Sequence, residues 1–359
     1  MSSTAQNRWK WIAGIIMVVV ILVSGIGYYL WTLFTAPLYT PGMVRNEQNL
    51  RAPLTPPEQT GNSDFWQVEE DIQLYHFSAG EGRNVLIIHG GPGIPYTEAW
   101  DALTPLNNDF QFHFYDQRGA GQSTRPFDTF ESSNTWNNMQ SLDQTLGIGA
   151  QLADIERIRQ ILGDEQLIII GHSFGAFHAV LYAAEFPEHV AGLVLVNPAN
   201  VLVMPRDEDD LFDTVRYHLP EDMLDDYDDF ITRYFAFNDL FSNSEADLVA
   251  LNNEFAVFYQ IAMGVELPVQ GEPGGWMVMA QYVSMGQRHD YREALSAIEA
   301  PVLILHGEND LQSIDVANMY ADALPDARVE VIPDSTHFPF DEQPELFAEI
   351  VGEFLESLP

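Results

Sequence analysis

Short apolar runs separated by amphipathic stretches fill most of the sequence after residue 64, and this pattern restricts the fold more than any other feature. Two of the intervening stretches, Ile148–Leu162 and Phe174–Phe186, have helical periodicity. Because strands that alternate with helices form a parallel sheet with right-handed crossovers, we predict an α/β fold with a mostly parallel sheet flanked by helices. The runs typical of strands buried on both faces are Val85–Ile88, Phe112–Tyr115, Leu167–Ile170, Leu193–Val196 and Val302–Leu305.

The alternation of strands and helices stops over residues 198–300, where the sequence is acidic, aromatic and helix-prone. A segment of about 100 residues is too long for a loop between two strands, so we predict a helical lid insertion there. The core of the fold then consists of residues 65–197 and 301–359. Its outer elements are predicted to be a hairpin, a last strand and a closing helix, at Phe65–Glu69 with Gln73–Phe77, Arg328–Ile332 and Asp341–Leu358.

Residues 11–34 form one long uncharged apolar run. At ~1.5 Å per helical residue this run reaches ~36 Å, enough to cross a hydrocarbon core of ~30 Å. A cleaved signal peptide is the alternative, but its apolar stretch should be about 7–15 residues long. We therefore predict a single-pass transmembrane anchor in contact with the lipid bilayer. Arg8 and Lys10 precede it, which predicts a cytoplasmic N-terminus at residues 1–10 and places the domain that follows outside the cell membrane. Residues 35–64 lack apolar periodicity and are predicted to be a linker.

The chain is strongly acidic, with 53 Asp and Glu residues against 15 Lys and Arg, a net charge of −38. Such a surface repels nucleic acid, so no nucleic-acid partner is expected. An ordinary acidic exported enzyme and a protein adapted to high salt both fit this charge, since salt screens the self-repulsion. The sequence has no cysteine, which excludes a disulfide framework, a zinc–thiolate site and a thiol nucleophile.

The residues Gly171-His172-Ser173-Phe174-Gly175 directly follow the apolar run Leu167–Ile170 and precede a helical pattern. This is the G-x-S-x-G motif in the strand-turn-helix context that lifts a nucleophilic serine above a sheet. A serine that only caps a helix is the alternative. The context predicts that Ser173 is a nucleophile.

A serine nucleophile needs a histidine base and an orienting carboxylate, which follow it in the order Ser, Asp, His in this fold class. Asp310 follows the run Val302–Leu305, and His337 follows Arg328–Ile332, so both are predicted on loops at the carboxyl edge of the sheet. Glu308 and Asp315 are the rival carboxylates. We favour Asp310 because Glu308 falls in the turn and Asp315 in the next helix.

The tetrahedral intermediate of acyl transfer also needs two donors for its oxyanion. The backbone N–H of Phe174 is one candidate, and the N–H of Gly91 in His89-Gly90-Gly91-Pro92-Gly93 is the other. A phosphate-binding loop is the alternative for this glycine-rich turn, but no Gly-Lys-Ser/Thr follows it. We expect His89 and His172 to brace these turns.

Together with Asp116-Gln117-Arg118-Gly119-Ala120-Gly121-Gln122-Ser123, the glycine-rich turn and the elbow resemble the proline iminopeptidase family of α/β-hydrolases. The likeness covers roughly residues 65–200 and 301–359. It implies an α/β-hydrolase fold, a catalytic triad of Ser173, Asp310 and His337, no cofactor, and removal of an N-terminal residue, often proline, from short peptides.

Family members bind the substrate's amine with lid glutamates, for which Glu254 and Glu266 are candidates here. The elbow departs from the common G-G-S-W-G of the family and is closer to general esterases. The leading hypothesis is a membrane-anchored serine hydrolase of the aminopeptidase type that acts on a small peptide. The alternatives are an esterase or lactonase with the same triad, and a non-catalytic receptor that kept the fold.

Overall fold

The computed structural model describes Thr32 and residues 35–206 and 209–359, and its centre is an eight-stranded sheet. The strand order is β1-β2-β4-β3-β5-β6-β9-β10, where the strands are β1 Phe65–Glu69, β2 Ile72–Gly80, β3 Arg83–Ile88, β4 Phe110–Tyr115, β5 Leu167–His172, β6 Val190–Val196, β9 Val302–Gly307 and β10 Ala327–Ile332. The pairs β1–β2 and β2–β4 are antiparallel, and all other pairs are parallel. Strands β7 (Val203–Met204) and β8 (His289–Asp290) form a separate antiparallel pair.

Helices cover both faces of the sheet. In chain order they are α1 Thr135–Leu146, α2 Ile148–Leu162, α3 Phe174–Glu185, α4 Leu211–His218, α5 Leu224–Tyr234, α6 Glu245–Met263, α7 Trp276–Met285, α8 Arg292–Leu295, α9 Ile314–Ala323, α10 Pro339–Glu342 and α11 Pro344–Ser357. Alternate residues of β3 point into two apolar clusters. Leu86 and Ile88 pack with α2, α3 and α9, whereas Val85 and Ile87 pack with α1, α11 and the helices of residues 211–285. The two-layer core follows from this alternation.

A strand lies at each of the eight predicted positions, so the predicted α/β sheet is confirmed. Two helical predictions differ from the structure. Helix α1 was not predicted, because its exposed face is polar and its start depends on the Asn134 side chain, which accepts a hydrogen bond from the Asn137 N–H. The predicted closing helix is split into α10 and α11 at Gln343. Pro344 disfavours helical backbone at the residue before it.

The segment predicted as a lid, residues 198–300, contains helices α4 to α8, and the first three of them, α4 to α6, pack against one another. Aromatic side chains hold these helices together. The Phe212 ring of α4 contacts Tyr234 of α5 and Phe255 of α6, with centroid separations of 5.6 and 5.0 Å. Helix α7 joins this insertion to the core, since Gln281 donates a hydrogen bond to the Leu146 carbonyl at 2.7 Å.

The segment predicted as a linker, residues 35–64, packs on the core over its first residues. Tyr39 and Val44 are buried. The buried Glu185 carboxylate at the end of α3 accepts hydrogen bonds from the Tyr39 hydroxyl and from the Gly42 and Arg45 N–H groups, at 2.9, 2.8 and 3.0 Å. The segment is held on the core by backbone N–H groups and by single side chains. It therefore does not need the repeating apolar pattern of a helix or a strand.

The predicted membrane span at residues 11–34 and the predicted cytoplasmic segment 1–10 lie outside the described residues, apart from Thr32. Among the residues that are described, no helix has the length and apolar character needed to cross a bilayer.

We expect Glu185→Gln to lower the free energy of unfolding by about 1.5–3 kcal/mol. A glutamine side chain has only one acceptor oxygen and no charge, so it cannot replace the charge-assisted hydrogen bonds that both carboxylate oxygens of Glu185 accept. Urea denaturation measures the change. The matched control is Glu188→Gln, which removes an exposed carboxylate paired with the same Arg45 segment at 2.6 Å. That substitution should cost less than about 1 kcal/mol. Equal losses in the two variants would contradict the role given to Glu185.

Candidate active site

Ser173 lies on a sharp turn between β5 and α3, with φ 54° and ψ −118°. A positive φ at a residue other than glycine costs about 1–3 kcal/mol and persists only where the surroundings enforce it. Here they do. A Cβ on Gly171 would lie 2.5 Å from the Gly175 carbonyl oxygen, and a Cβ on Gly175 would lie 2.1 Å from the Ile88 carbonyl oxygen. The two glycines of the motif are therefore required by backbone contact.

His337 and Asp310 are hydrogen-bonded to each other on neighbouring loops after β10 and β9. His337 Nδ1 lies 2.8 Å from Asp310 Oδ2, and both side chains are buried. Because an ionised carboxylate only accepts hydrogen bonds, Nδ1 carries the proton in this pair and Nε2 is left as an acceptor. His337 lines the same cavity as Ser173. The structure thus brings together the three predicted triad residues.

The loops that carry Asp310 and His337 are tied to each other by Asn197, which follows β6 and has φ 43°. Its amide donates to the Thr336 carbonyl at 3.1 Å, and its carbonyl accepts from the Gly307 N–H at 2.8 Å. Asparagine tolerates positive φ better than other side chains. Sequence analysis missed this residue, because only the fold brings the ends of β6, β9 and β10 together.

His172 connects the serine turn to the histidine loop. Its Nε2–H donates to the His337 carbonyl at 2.9 Å, so its Nδ1 accepts from the Tyr96 hydroxyl at 2.7 Å. Burial lowers the pKa of His172 well below its usual value, with a further contribution from nearby His337. His172 is therefore neutral and serves as a brace.

The glycine-rich turn after β3 lies directly beside Ser173. A Cβ on Gly90 would lie 2.8 Å from the Ser173 Cβ, and Gly91 adopts φ 113°. Gly91 lines the cavity that contains Ser173. Phe174 is the first residue of α3, and the first amides of a helix have no acceptor within the helix. The two predicted oxyanion donors are thus backbone groups of segments that flank Ser173.

His89 and His178 support the glycine-rich turn through hydrogen bonds to Gly90 and Gln117. His89 Nδ1–H donates to the Gly90 carbonyl at 3.1 Å, and its Nε2 accepts from the Gln117 N–H at 3.0 Å. The Gln117 side chain contacts His178 Nδ1 at 3.1 Å. Burial lowers the pKa of His89 to about 3 and the pKa of His178 to about 4. Both imidazoles are therefore neutral at pH 7 and unable to attract a substrate anion.

Arg118, from the segment that follows β4, belongs to a buried ion-pair cluster. Its guanidinium contacts Asp154 of α2 at 2.6 Å and Glu69 of β1 at 2.8 Å. Arg157 contacts the same two carboxylates, at 3.0 and 3.1 Å. Arg51, which is less buried, also contacts Glu69 at 2.7 Å and pairs with Asp71. Each cation of the network thus has a carboxylate partner, which is the condition under which buried charges are tolerated. The cluster holds the Asp116–Ser123 segment behind the active site.

Glu254, the predicted substrate-binding residue, does not line the cavity. Its carboxylate is partly exposed and forms two hydrogen bonds to Arg233, at 2.6 and 3.0 Å. The next residues of α6, Phe255 and Ala256, line the cavity instead. Successive helical residues differ by about 100° in direction, so Glu254 faces outward. Glu266, the other candidate, is also exposed.

Two adjoining cavities meet at Ser173. The histidine branch is lined by His337 and by Gly90, Gly91, Ile94, Tyr96, His172, Ser173, Leu211, Phe255, Ala256, Tyr259, Leu267, Gln270 and Phe338. The arginine branch shares Gly91, Ile94, Ser173, Leu211 and Phe255 and extends past Phe174 to Arg206. Within the described part of the chain, neither branch has an Asp or Glu side chain in its wall. The arrangement can deliver a serine hydroxyl, a base and two amides to one carbonyl group.

Comparison with known proteins agrees with this geometry. A family model described as alpha/beta hydrolase fold matches residues 83–344. The chain is 27% identical to a proline iminopeptidase of Saccharolobus solfataricus over 300 residues, which cover 78% of this chain and 86% of the relative. It is 26% identical to a proline iminopeptidase of Lactobacillus delbrueckii subsp. bulgaricus over 308 residues, covering 79% and 95%. The resemblance inferred from the motifs is confirmed by these relatives.

Solved structures share the fold. An esterase from Exiguobacterium antarcticum matches with a TM-score of 0.56 at 20% identity, covering 82% of this chain and all of the esterase. A proline iminopeptidase from Mycobacterium smegmatis matches with a TM-score of 0.53 at 18% identity, covering 80% and 95%. At these identities the likeness concerns the fold alone.

Proposed function

Because the chain belongs to the α/β-hydrolase fold family, we propose that it is a serine hydrolase that forms an acyl-enzyme on Ser173. The observation that carries the proposal is that His337, which lines the cavity containing Ser173, is hydrogen-bonded to Asp310 at 2.8 Å. A serine that merely capped α3 would need neither this pair nor a strained backbone.

The proposed reaction has two halves. The Ser173 hydroxyl oxygen attacks the substrate carbonyl carbon while His337 Nε2 takes its proton, and Asp310 stays ionised and stabilises the imidazolium. The Phe174 and Gly91 N–H groups donate to the oxyanion. His337 then returns the proton to the leaving amine or alcohol as the bond to the carbonyl carbon breaks. In the second half, water attacks the acyl-enzyme, and the same histidine removes its proton and passes one to Ser173.

For the substrate, we propose the N-terminal residue of a short peptide, an assignment supported by the similarity to proline iminopeptidases over 78–79% of the chain. An ester or lactone is the second candidate, and a specific observation favours it. A peptide's ammonium group is best bound by a buried carboxylate. The described walls of both branches lack one.

We also propose that residues 11–34 anchor this hydrolase to a membrane as a single span, on the basis of their length and apolar composition. The full-length chain should then stay in the membrane pellet after washing at alkaline pH and dissolve in detergent. Release of the full-length chain by the alkaline wash would contradict the anchor.

A paired assay separates the substrate classes. Purified protein is given a prolyl anilide and a short-chain 4-nitrophenyl ester, and kcat/KM is measured for each. If the peptidase assignment is right, the anilide is turned over in a Ser173-dependent manner, and Ser173→Ala lowers its kcat/KM by about a thousandfold or more. Ester turnover without anilide turnover would instead support the esterase.

The control is Ser296→Ala, which removes an exposed serine hydroxyl that lines neither branch and should leave both activities unchanged. If Ser173→Ala left turnover of both substrates unchanged, the serine-hydrolase proposal would be wrong. Absence of turnover by folded wild-type protein on both substrates would favour the receptor alternative.

A further inference from the structure

The arginine branch contains a single formally charged side chain among its described lining residues, and that side chain is Arg206. The chain carries 53 acidic residues and 15 basic ones. A wall drawn at random from such a composition would carry negative charge. A guanidinium in a cavity that opens on Ser173 is therefore the least expected charge at this position, and it gives the branch a preference for anions.

The contacts of the Arg206 guanidinium with the described residues leave some of its N–H donors available for a ligand. Its side chain is only 16% exposed. One of its nitrogens donates to the Asn200 carbonyl. Its contact with Asp210 is 3.5 Å long, beyond the 2.7–2.9 Å of a strong charge-assisted bond. An arginine has five N–H donors, and the described residues engage a minority of them.

Asp210 has another role that explains its position. Its Oδ1 accepts hydrogen bonds from the Phe212 and Asp213 N–H groups, at 2.9 and 3.0 Å, and so caps α4. Two other polar side chains of the branch, those of Tyr234 and Asn252, are hydrogen-bonded to each other and to the backbone. The Tyr234 hydroxyl donates to Asn252 at 3.0 Å, and Asn252 donates to the Gly274 carbonyl at 2.7 Å. Asn200, Tyr282 and Gln312 also line the branch but are neutral, so Arg206 is the one cation among its described lining residues that can pair with a ligand anion.

We infer that Arg206 binds a carboxylate on the substrate, so that the preferred substrates of the Ser173 site are anionic acyl compounds. This inference rests on the proposed function of Ser173. A planar guanidinium matches a carboxylate through two parallel hydrogen bonds. The carboxylate can belong to the acyl part, as in a hemiester of a dicarboxylic acid, or to the leaving group, as in the free C-terminus of a dipeptide.

The position of the branch favours the acyl part. His337 must protonate the leaving group, and it lines the histidine branch and not the arginine branch. The arginine branch lies on the side of Phe174, whose amide is an oxyanion donor. A carboxylate at the far end of an acyl chain would therefore reach Arg206 while its carbonyl group sits at Ser173.

The test compares matched substrates in wild type, Arg206→Gln and Arg206→Lys at one fixed ionic strength, since the net charge of −38 repels anions at low salt. The acyl pair is 4-nitrophenyl hemiglutarate and 4-nitrophenyl butyrate, and the leaving-group pair is prolylglycine and prolylglycinamide. We expect Arg206→Gln to lower kcat/KM for hemiglutarate about tenfold or more without changing that for butyrate. Arg206→Lys should retain part of the preference.

The control is Arg216→Gln, which removes an exposed arginine of the same insertion that pairs with Asp228 at 2.6 Å. It should leave both ratios unchanged. If Arg206→Gln lowered thermal stability but left the hemiglutarate-to-butyrate and dipeptide ratios as in wild type, the guanidinium would be structural and the inference wrong. If Arg206→Gln changed only the kcat/KM ratio of prolylglycine to prolylglycinamide, Arg206 would bind a carboxylate of the leaving group and not one of the acyl part.

Binding separates this inference from the proposed chemistry. In Ser173→Ala protein, calorimetry measures the affinity for the unhydrolysed hemiglutarate ester with Arg206 intact and with Arg206→Gln. We expect about tenfold weaker binding without the guanidinium, even if the wild type hydrolyses neither ester. Equal affinities would overturn the inference, whereas loss of turnover with retained Arg206-dependent binding would overturn only the proposed function.

Discussion

Backbone atoms approach each other so closely where β3, β5 and α3 meet that neither Gly171 nor Gly175 can carry a side chain. The turn between β5 and α3 is forced to be sharp by this contact, and Ser173 is held at positive φ at its apex. The same contact involves the carbonyl of Ile88, the last residue of β3. The glycine-rich turn that follows therefore begins beside the serine, and the oxyanion donors and the nucleophile are positioned by one crowded junction.

Electrostatics arranges the rest of the site. Three arginines of this acidic chain lie at or near the active site. Arg118 and Arg157 form a buried ion-pair cluster with Asp154 and Glu69, and Arg206 lines the cavity. The histidines around the triad are neutral because burial lowers their pKa values. Asp310 contacts His337 at 2.8 Å, and no Arg or Lys forms an ion pair with Asp310 in the described structure.

Sequence alone predicted the parts of the fold that depend on local patterns. Apolar runs predicted the strands, and the motif around Ser173 and the strand-end positions of Asp310 and His337 predicted the residues that meet at the cavity. Features that depend on orientation or on distant partners were not predictable. Glu254 differs from the cavity residue Phe255 only by one helical step, and the segment at Tyr39 is fixed by Glu185, 146 residues away. Arg206 has no motif, so only the cavity reveals it.

The central claim, that Ser173 is an activated nucleophile, is tested most directly by chemical labelling. Folded protein is treated with a fluorophosphonate, and the adduct is located by peptide mass spectrometry. The account predicts one adduct per chain, on the peptide that contains Ser173, with much slower labelling in the His337→Gln variant. An unlabelled Ser173 in folded wild-type protein, or equal labelling rates with and without His337, would contradict it.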